Sequence, residues 1–380
     1  MTTPVHSGQR PLRVVHVFGI METGGAELRI LELMEAFGGS VQPIYVTLSG
    51  HLGSLNDRIV ASGGRVVPIP LTASFPGRFT GLLAAARPAV LHSHVHGFSG
   101  PLVTLGRAAR VPVRICQFHS DSDGAAGTAR RQAYRAATRT LVTTSSTAVV
   151  GIAPSTLESS WGSRWTTDPL FHIIPNPVAV ESPASQGSPS LRQRFGIPEE
   201  AIVMGHVGRP SLDKNRGFLI DVLAAAVAHV SSHLVLVGPP DDDAEKVLMQ
   251  SATSLGVQDR VHFAGHVQSV QDTMRQFDIV LLTSIREGLP SVVIEAGIVG
   301  TPVLSSDLPG SRFIAQYLDR IETIPLQAGP ERWAATVQRM VHEPRLSAED
   351  ALRAFNDSPF TVSAAVPAWA QLYGMTGTPQ

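Results

Sequence analysis

Two carboxylates stand eight positions apart in Ser284-Ile285-Arg286-Glu287-Gly288-Leu289-Pro290-Ser291-Val292-Val293-Ile294-Glu295-Ala296, on either side of a Gly-Leu-Pro turn signal. The segment follows the apolar run Ile279 to Thr283 and reads as strand, turn, helix. Gly288 permits a tight turn and Pro290 suits the first helical position, so amide N–H groups at the helix start would favour an anion, with phosphate the natural occupant. Glu287 and Glu295 are then about two helical turns apart, too far for a close acid/base pair and suited to hydroxyls at both ends of a long ligand. A first-turn charge that complements the helix dipole and a solvated glutamate on the helix face explain the same spacing equally well.

A second constellation, Gly205-His206-Val207-Gly208-Arg209-Pro210 with Lys214, again follows an apolar run and holds one of the chain's two lysines. Glycines let backbone approach a ligand, while Arg209 and Lys214 offer a fork and a point charge for phosphates that gain negative charge as they depart. An ordinary turn with surface cations is the competing reading.

Positioning these residues takes a repeated architecture. Short apolar runs alternate with helical-period segments: Leu12 to Val17, Ile44 to Leu48, Arg65 to Ile69, Val90 to His94, Val113 to His119 and Thr140 to Thr144 read as strands, and Ala26 to Ala36 as a helix. After Phe171-His172-Ile173-Ile174-Pro175-Asn176-Pro177 the apolar pattern stops. A second series follows, near Ile202 to Val207, Leu234 to Val237, Val261 to Phe263, Ile279 to Thr283 and Pro302 to Ser305. Such alternation predicts an α/β chain with two parallel sheets, ligands binding at the carboxyl ends of the strands in a cleft between two facing lobes. The expected division is residues 1–180, a linker over 181–190, residues 191–358, and a terminal segment 359–380 whose helix packs back on the first lobe.

In order along nearly the whole chain, Gly24-Gly25-Ala26-Glu27, Phe118-His119, Ile173-Ile174-Pro175-Asn176, Val207-Gly208-Arg209 with Lys214-Asn215, and Glu287-Gly288-Leu289-Pro290 through Glu295-Ala296 resemble the GT-B glycosyltransferases. Within them the chain resembles the retaining glycosyltransferase family four. The resemblance implies two Rossmann-like domains facing across a cleft and transfer of a sugar from a nucleotide diphosphate donor, UDP-sugar favoured, to a hydroxyl acceptor such as an envelope glycan precursor or a small natural product. It assigns Arg209 and Lys214 to the diphosphate and Glu295 to the ribose hydroxyls. Glu287 goes near the transferred sugar, and Gly208, Gly288, Leu289, Pro290 and Ser291 line the sugar and phosphate site. Gly24 and Gly25 approach from the other lobe, and His119 faces the sugar. Neither metal nor separate cofactor is expected. Two lesser alternatives are compatible with the same motifs: a GT-B isomerase or phosphorylase, and a silent subunit that binds sugar nucleotides.

Other signals are weaker. His92, His94 and His96 alternate and would share one strand face, superficially like a metal site, but lining the ligand cleft is the simpler role. Asp121-Ser122-Asp123 has a D-x-D form, read as an acceptor-side contact, and Asp241-Asp242-Asp243 reads as a helix start. Arg130, Arg131, Arg135 and Arg139 form a basic helical face, a weak candidate for peripheral membrane contact.

Composition sets the outer bounds. With 380 residues, 43% of them hydrophobic and 16% charged, the chain can bury two cores, and no apolar run reaches the roughly 18 residues of a membrane span. Residues 1–190 carry 15 Arg and 10 acidic groups, residues 191–380 carry 15 basic and 21 acidic, so the lobes differ in sign and nucleic-acid binding is not indicated. A lone Cys116 in a strand reads as a buried hydrophobe. The expectation is a soluble, cytoplasmic bacterial protein, monomer or homodimer.

Overall fold

The computed structural model describes residues 10–121, 127–181 and 189–375. The chain divides into two compact units: unit 1 runs to Pro177 and resumes at Val362, and unit 2 spans Val178–Thr361. Residues 182–188, most of the expected linker, lie outside the described residues, as do Ser122 and Asp123 of the D-x-D segment.

Among the described residues, unit 1 is a parallel sheet of β1 (Leu12–Phe18), β2 (Val41–Thr47), β3 (Arg65–Pro68), β4 (Val90–Ser93), β5 (Val113–Phe118), β6 (Ala148–Gly151) and β7 (Phe171–Ile173), in the order β3-β2-β1-β4-β5-β6-β7. Its helices are α1 (Gly25–Ala36), α2 (Asn56–Ala61), α3 (Phe75–Ala86), α4 (Ser99–Ala108), α5 (Ala129–Ser145) and α6 (Pro154–Trp161). Strand order reverses between β1 and β4, which is where an open α/β sheet leaves a crevice at its carboxyl edge.

Thr140 to Thr144, expected as a strand, is instead the last turn of α5, and the strand comes later as β6. The β-branched run suggested extended backbone, but its hydroxyls donate back along the helix, Thr140 Oγ1 to the Ala136 carbonyl at 3.1 Å and Thr144 Oγ1 to the Thr140 carbonyl at 2.8 Å. Packing fixes the choice. A Cβ on Gly100 of α4 would sit 2.7 Å from the Thr138 carbonyl, so α4 and α5 meet closely along this stretch.

Unit 2 repeats the plan with β8 (Ile202–Val207), β9 (Ser232–Val237), β10 (Val261–Gly265), β11 (Ile279–Leu282), β12 (Val303–Ser306) and β13 (Ile321–Ile324), ordered β10-β9-β8-β11-β12-β13 and all parallel. Its helices are α7 (Leu191–Phe195), α8 (Arg216–Val227), α9 (Asp242–Ser254), α10 (Val270–Arg275), α11 (Ser291–Ile298), α12 (Pro309–Ile314), α13 (Pro330–His342) and α14 (Ala348–Asn356). The reversal point lies between β8 and β11, the two strands that precede the Gly208 and Glu287 loops. Asp241 caps α9, its Oδ1 accepting from the Ala244 amide at 3.0 Å, as the acidic run suggested.

The chain then returns to unit 1. Val366 and Trp369 of helix α15 (Val362–Leu372) and Tyr373 just past its end are buried in one cluster with Ile30, Met34 and Phe37 of the α1 segment and with Val14 and Tyr45 beneath. Cys116 is buried in β5, where desolvation pushes its thiol up to about 12.

Candidate active site

In unit 2 the loops after β8 and β11 are stitched to each other. Lys214 closes a 3-10 turn, and Asn215 behind it adopts a left-handed conformation at φ 49° that swings the chain into α8. Thr283 Oγ1 donates to the Lys214 carbonyl at 3.1 Å and the Ile285 amide donates to the Asp213 carbonyl at 2.7 Å. Arg286 pairs with Asp213 at 2.7 Å. Within this frame the Lys214 ammonium donates to Glu287 Oε1 at 2.6 Å, and the Ser284 hydroxyl donates to the same oxygen at 2.8 Å.

Gly288 and Pro290 are buried, Leu289 and Ser291 partly so, and Pro290 caps α11 instead of occupying its first turn. The Gly288 carbonyl is pressed against α12, where a Cβ on Gly310 would come within 2.1 Å of it. Glu295 is 7% exposed, which removes the reading of a solvated helix face. A carboxylate so enclosed needs partners or a ligand with hydroxyls to offer.

Arg209 is exposed at the tip of the first loop and makes no hydrogen bond or ion pair with the described residues. Arg216, which the motif reading passed over, is buried and donates to the Gly208 carbonyl. Its pKa is lowered, first by desolvation, against the opposing pull of Glu245 and Asp241. The signal for it was a third cation next to Lys214-Asn215 at a helix start. His206 on β8 donates from Nδ1 to the Leu281 carbonyl at 3.0 Å, and burial, then Arg216, drives its pKa down to about 3.

Gly24, Gly25 and His119 belong to unit 1. Gly24 caps α1 in extended conformation, and a Cβ there would meet Glu27 Oε2 at 2.4 Å, while Gly25 faces open space. The preceding Met21 carbonyl accepts from the Leu55 amide at 3.0 Å, and Gly53, at φ 86°, approaches it where no side chain fits.

His119, part-buried past the end of β5, reaches two partners: its Nε2 lies 3.0 Å from His94 Nδ1 and its Nδ1 lies 3.2 Å from Asn176 Nδ2. His92 and His94 do share a face, but the third histidine beside them is His16 of β1, in register with His92. His96 leaves that face because β4 ends at Ser93 and the chain turns at His96, φ 49°. Donor nitrogens of His16, His92 and His94 fall within 4.8 Å of one another. Burial lowers all three pKa values, His16 to about 3.

A cavity of about 300 Å³ in unit 1 is lined by His96, Phe118, Asp121, Tyr134, Arg135 and Arg139, among others. Two of the four α5 arginines noted in the sequence therefore face a pocket, and Arg139 also donates to the Ser160 carbonyl at 2.6 Å. Desolvation raises the Asp121 pKa while the Ser155 hydroxyl opposes it. Among the described residues no helix is long and apolar enough to cross a membrane.

Two Rossmann-like parallel-sheet units, each with its loops at a strand-order reversal, give the chain the GT-B fold. Residues 24–164 match the glycosyl transferase 4-like domain and residues 188–351 match the glycosyl transferases group 1 family. The chain belongs to the group 1 glycosyltransferases. It is 26% identical over 336 residues to the putative glycosyltransferase EpsF of Bacillus subtilis, covering 86% of this chain and 87% of that protein. It is 25% identical over 335 residues to the capsular polysaccharide biosynthesis glycosyltransferase CapH of Staphylococcus aureus, covering 87% and 91%. Among solved structures, HepE of Anabaena in complex with UDP matches at a TM-score of 0.77 and 18% identity, over 96% of this chain and 99% of that one.

Proposed function

We propose that this glycosyltransferase moves a sugar from a UDP-sugar to a hydroxyl acceptor with retention of anomeric configuration and without a metal ion. The observation that carries the reading is the convergence of Lys214, Glu287 and the amino end of α11 at the strand-order reversal of unit 2, with the enclosed Glu295 one helix turn and more behind. HepE, a structural neighbour, has been solved with UDP and with UDP-glucose, which supports the choice of donor.

In this reading Arg209 and Lys214 neutralise the diphosphate and take up the charge that develops as it leaves, in place of a divalent cation. Lys214 then divides its ammonium between the diphosphate and Glu287, to which it donates at 2.6 Å. Glu295 receives the ribose hydroxyls, the Gly288 to Ser291 backbone lines the phosphate and sugar, and Glu287 stays beside the sugar. Gly24, Gly25 and His119 serve from unit 1, and the departing phosphate oxygen accepts the proton of the incoming hydroxyl. The arginine-lined cavity of unit 1 suits an acceptor with an anionic group, such as an envelope glycan precursor.

The test is thermal unfolding with UDP, GDP, dTDP or ADP, first with EDTA and then with magnesium. A nucleotide at about 100 times its Kd stabilises by roughly 2.7 kcal/mol, a shift of several degrees. The expected result is a shift with UDP in EDTA that Glu295→Gln abolishes. No shift with any nucleotide would sink the site assignment, and a shift only with magnesium would sink metal independence.

A further inference from the structure

Six side chains in unit 1 form one unbroken line of contacts from Gln117 through His119 to Met34. Gln117 Nε2 donates to Asn176 Oδ1 at 3.0 Å, Asn176 Nδ2 reaches His119 Nδ1 at 3.2 Å, and His119 Nε2 reaches His94 Nδ1 at 3.0 Å. His94 Nε2 then meets His16 Nδ1 at 3.0 Å, and His16 Nε2 meets Met34 Sδ at 3.2 Å. Each neutral imidazole has one N–H and one lone pair, so fixing a proton at either end of the line fixes it on every ring between. The two ends agree. A thioether has no hydrogen and can only accept, which puts the His16 proton on Nε2, the His94 proton on Nε2 and the His119 proton on Nε2. From the other end, Asn176 accepts from Gln117 through its oxygen, so its amide group is the donor to His119 Nδ1, and the His119 proton again falls on Nε2. With both amides turned over the line would have to end on a lone pair facing sulfur.

We propose that Asn176, His94 and His16 are positioning residues that hold His119 as the neutral Nε2–H tautomer, a hydrogen-bond donor to a sugar hydroxyl and never a general base. The Nδ1 lone pair, the only one a base could use, is occupied by Asn176. His94 Nδ1 keeps the donor hydrogen occupied until a ligand oxygen replaces it. Phe18 stacks on the His94 ring at 4.1 Å between centroids and keeps that ring edge-on to its two partners. The proposal rests on the placement of His119 beside the sugar in the reading above.

Two-bond nitrogen–proton correlation spectra of histidine-labelled full-length protein report the protonated nitrogen of each ring. The expected result at neutral pH is a proton on Nε2 of His16, His94 and His119. Asn176→Asp supplies only an acceptor, so the His119 ring should gain a proton on Nδ1. Asn176→Ala leaves the Met34 end in charge and should keep Nε2–H. A wild-type His119 protonated on Nδ1, a spectrum unmoved by Asn176→Asp, or one equivalent of tightly bound metal on the histidines would overturn the proposal. The wild-type measurement needs no variant to fold. Retention of turnover in His119→Ala, alongside the Nε2–H tautomer in the wild-type protein, would instead refute the sugar-facing role of His119 and leave the relay standing.

Discussion

Lys214 and Glu287 are joined through a 2.6 Å bond that spans the two loops at the reversal point of unit 2, and Ser284 donates to the same carboxylate oxygen at 2.8 Å. The lysine therefore has a structural duty as well as an electrostatic one. Both side chains are about four-fifths buried, at 21% and 18% exposure, so water compensates poorly when one is removed. Lys214→Ala is expected to cost about 1 to 3 kcal/mol of stability, and about 10²- to 10³-fold in kcat through the lost charge on the leaving diphosphate. Denaturant melts and steady-state kinetics read the two separately. Wild-type turnover would remove Lys214 from the mechanism.

Arg209 makes the useful contrast. It is exposed and makes no ion pair with the described residues. Arg209→Ala should change stability by less than about 0.5 kcal/mol while lowering kcat by about 10²-fold. A variant that melts like Lys214→Ala, or turns over like wild type, contradicts the division of labour between the two cations.

The two β-α series and the loops that follow β8 and β11 could be read from period and turn residues because the strands there are predominantly apolar, β11 without interruption and β8 broken only by Gly205 and His206. The edge strands β7 and β13 were not legible in this way. β7 has three residues and β13 is only partly buried along its length, so neither shows the continuous apolar stretch of a central strand. The partner of His92 was equally hidden. His16 lies seventy-six positions away and is brought beside it only by the β1–β4 register, and the Asn176–His119 bond depends on where β5 and the segment after β7 end. Glycine spacing pointed to the turn at Gly288, yet the contact that needs a glycine is at Gly310 on another helix.

That contact yields its own prediction. A methyl group on Gly310 would come within 2.1 Å of the Gly288 carbonyl and 3.1 Å of Pro290 Cδ, both belonging to the turn that carries Glu287 into α11. Backbone cannot yield as a flexible side chain would. Gly310→Ala should cost about 1 to 3 kcal/mol and displace the turn, weakening nucleotide binding although the residue is not among those assigned to the ligand. Isothermal titration with UDP at a temperature where the variant is folded checks this, and unchanged affinity would show that the turn does not depend on α12.

The buried histidines make acid the condition most damaging to the fold. Burial is the largest cause holding His16 in unit 1 and His206 in unit 2 at about 3, against 6.5 in the unfolded chain. Above about pH 7.5 each is neutral in both states and its contribution is complete. As pH falls through 6.5 the unfolded chain takes up protons that the folded one refuses, so stability drops by up to about 1.4 kcal/mol per pH unit for each such group, until the folded pKa near 3 is reached. Carboxylates titrate mostly below pH 5, so the interval from pH 7 to 5 reports chiefly histidine. His206→Asn can still donate toward the Leu281 carbonyl without titrating, and should flatten the slope of stability against pH by an amount that grows from about a quarter of a proton at pH 7 to close to one at pH 5. Urea melts at half-unit steps measure the slope, and an equally steep variant would mean that His206 is protonated in the folded protein.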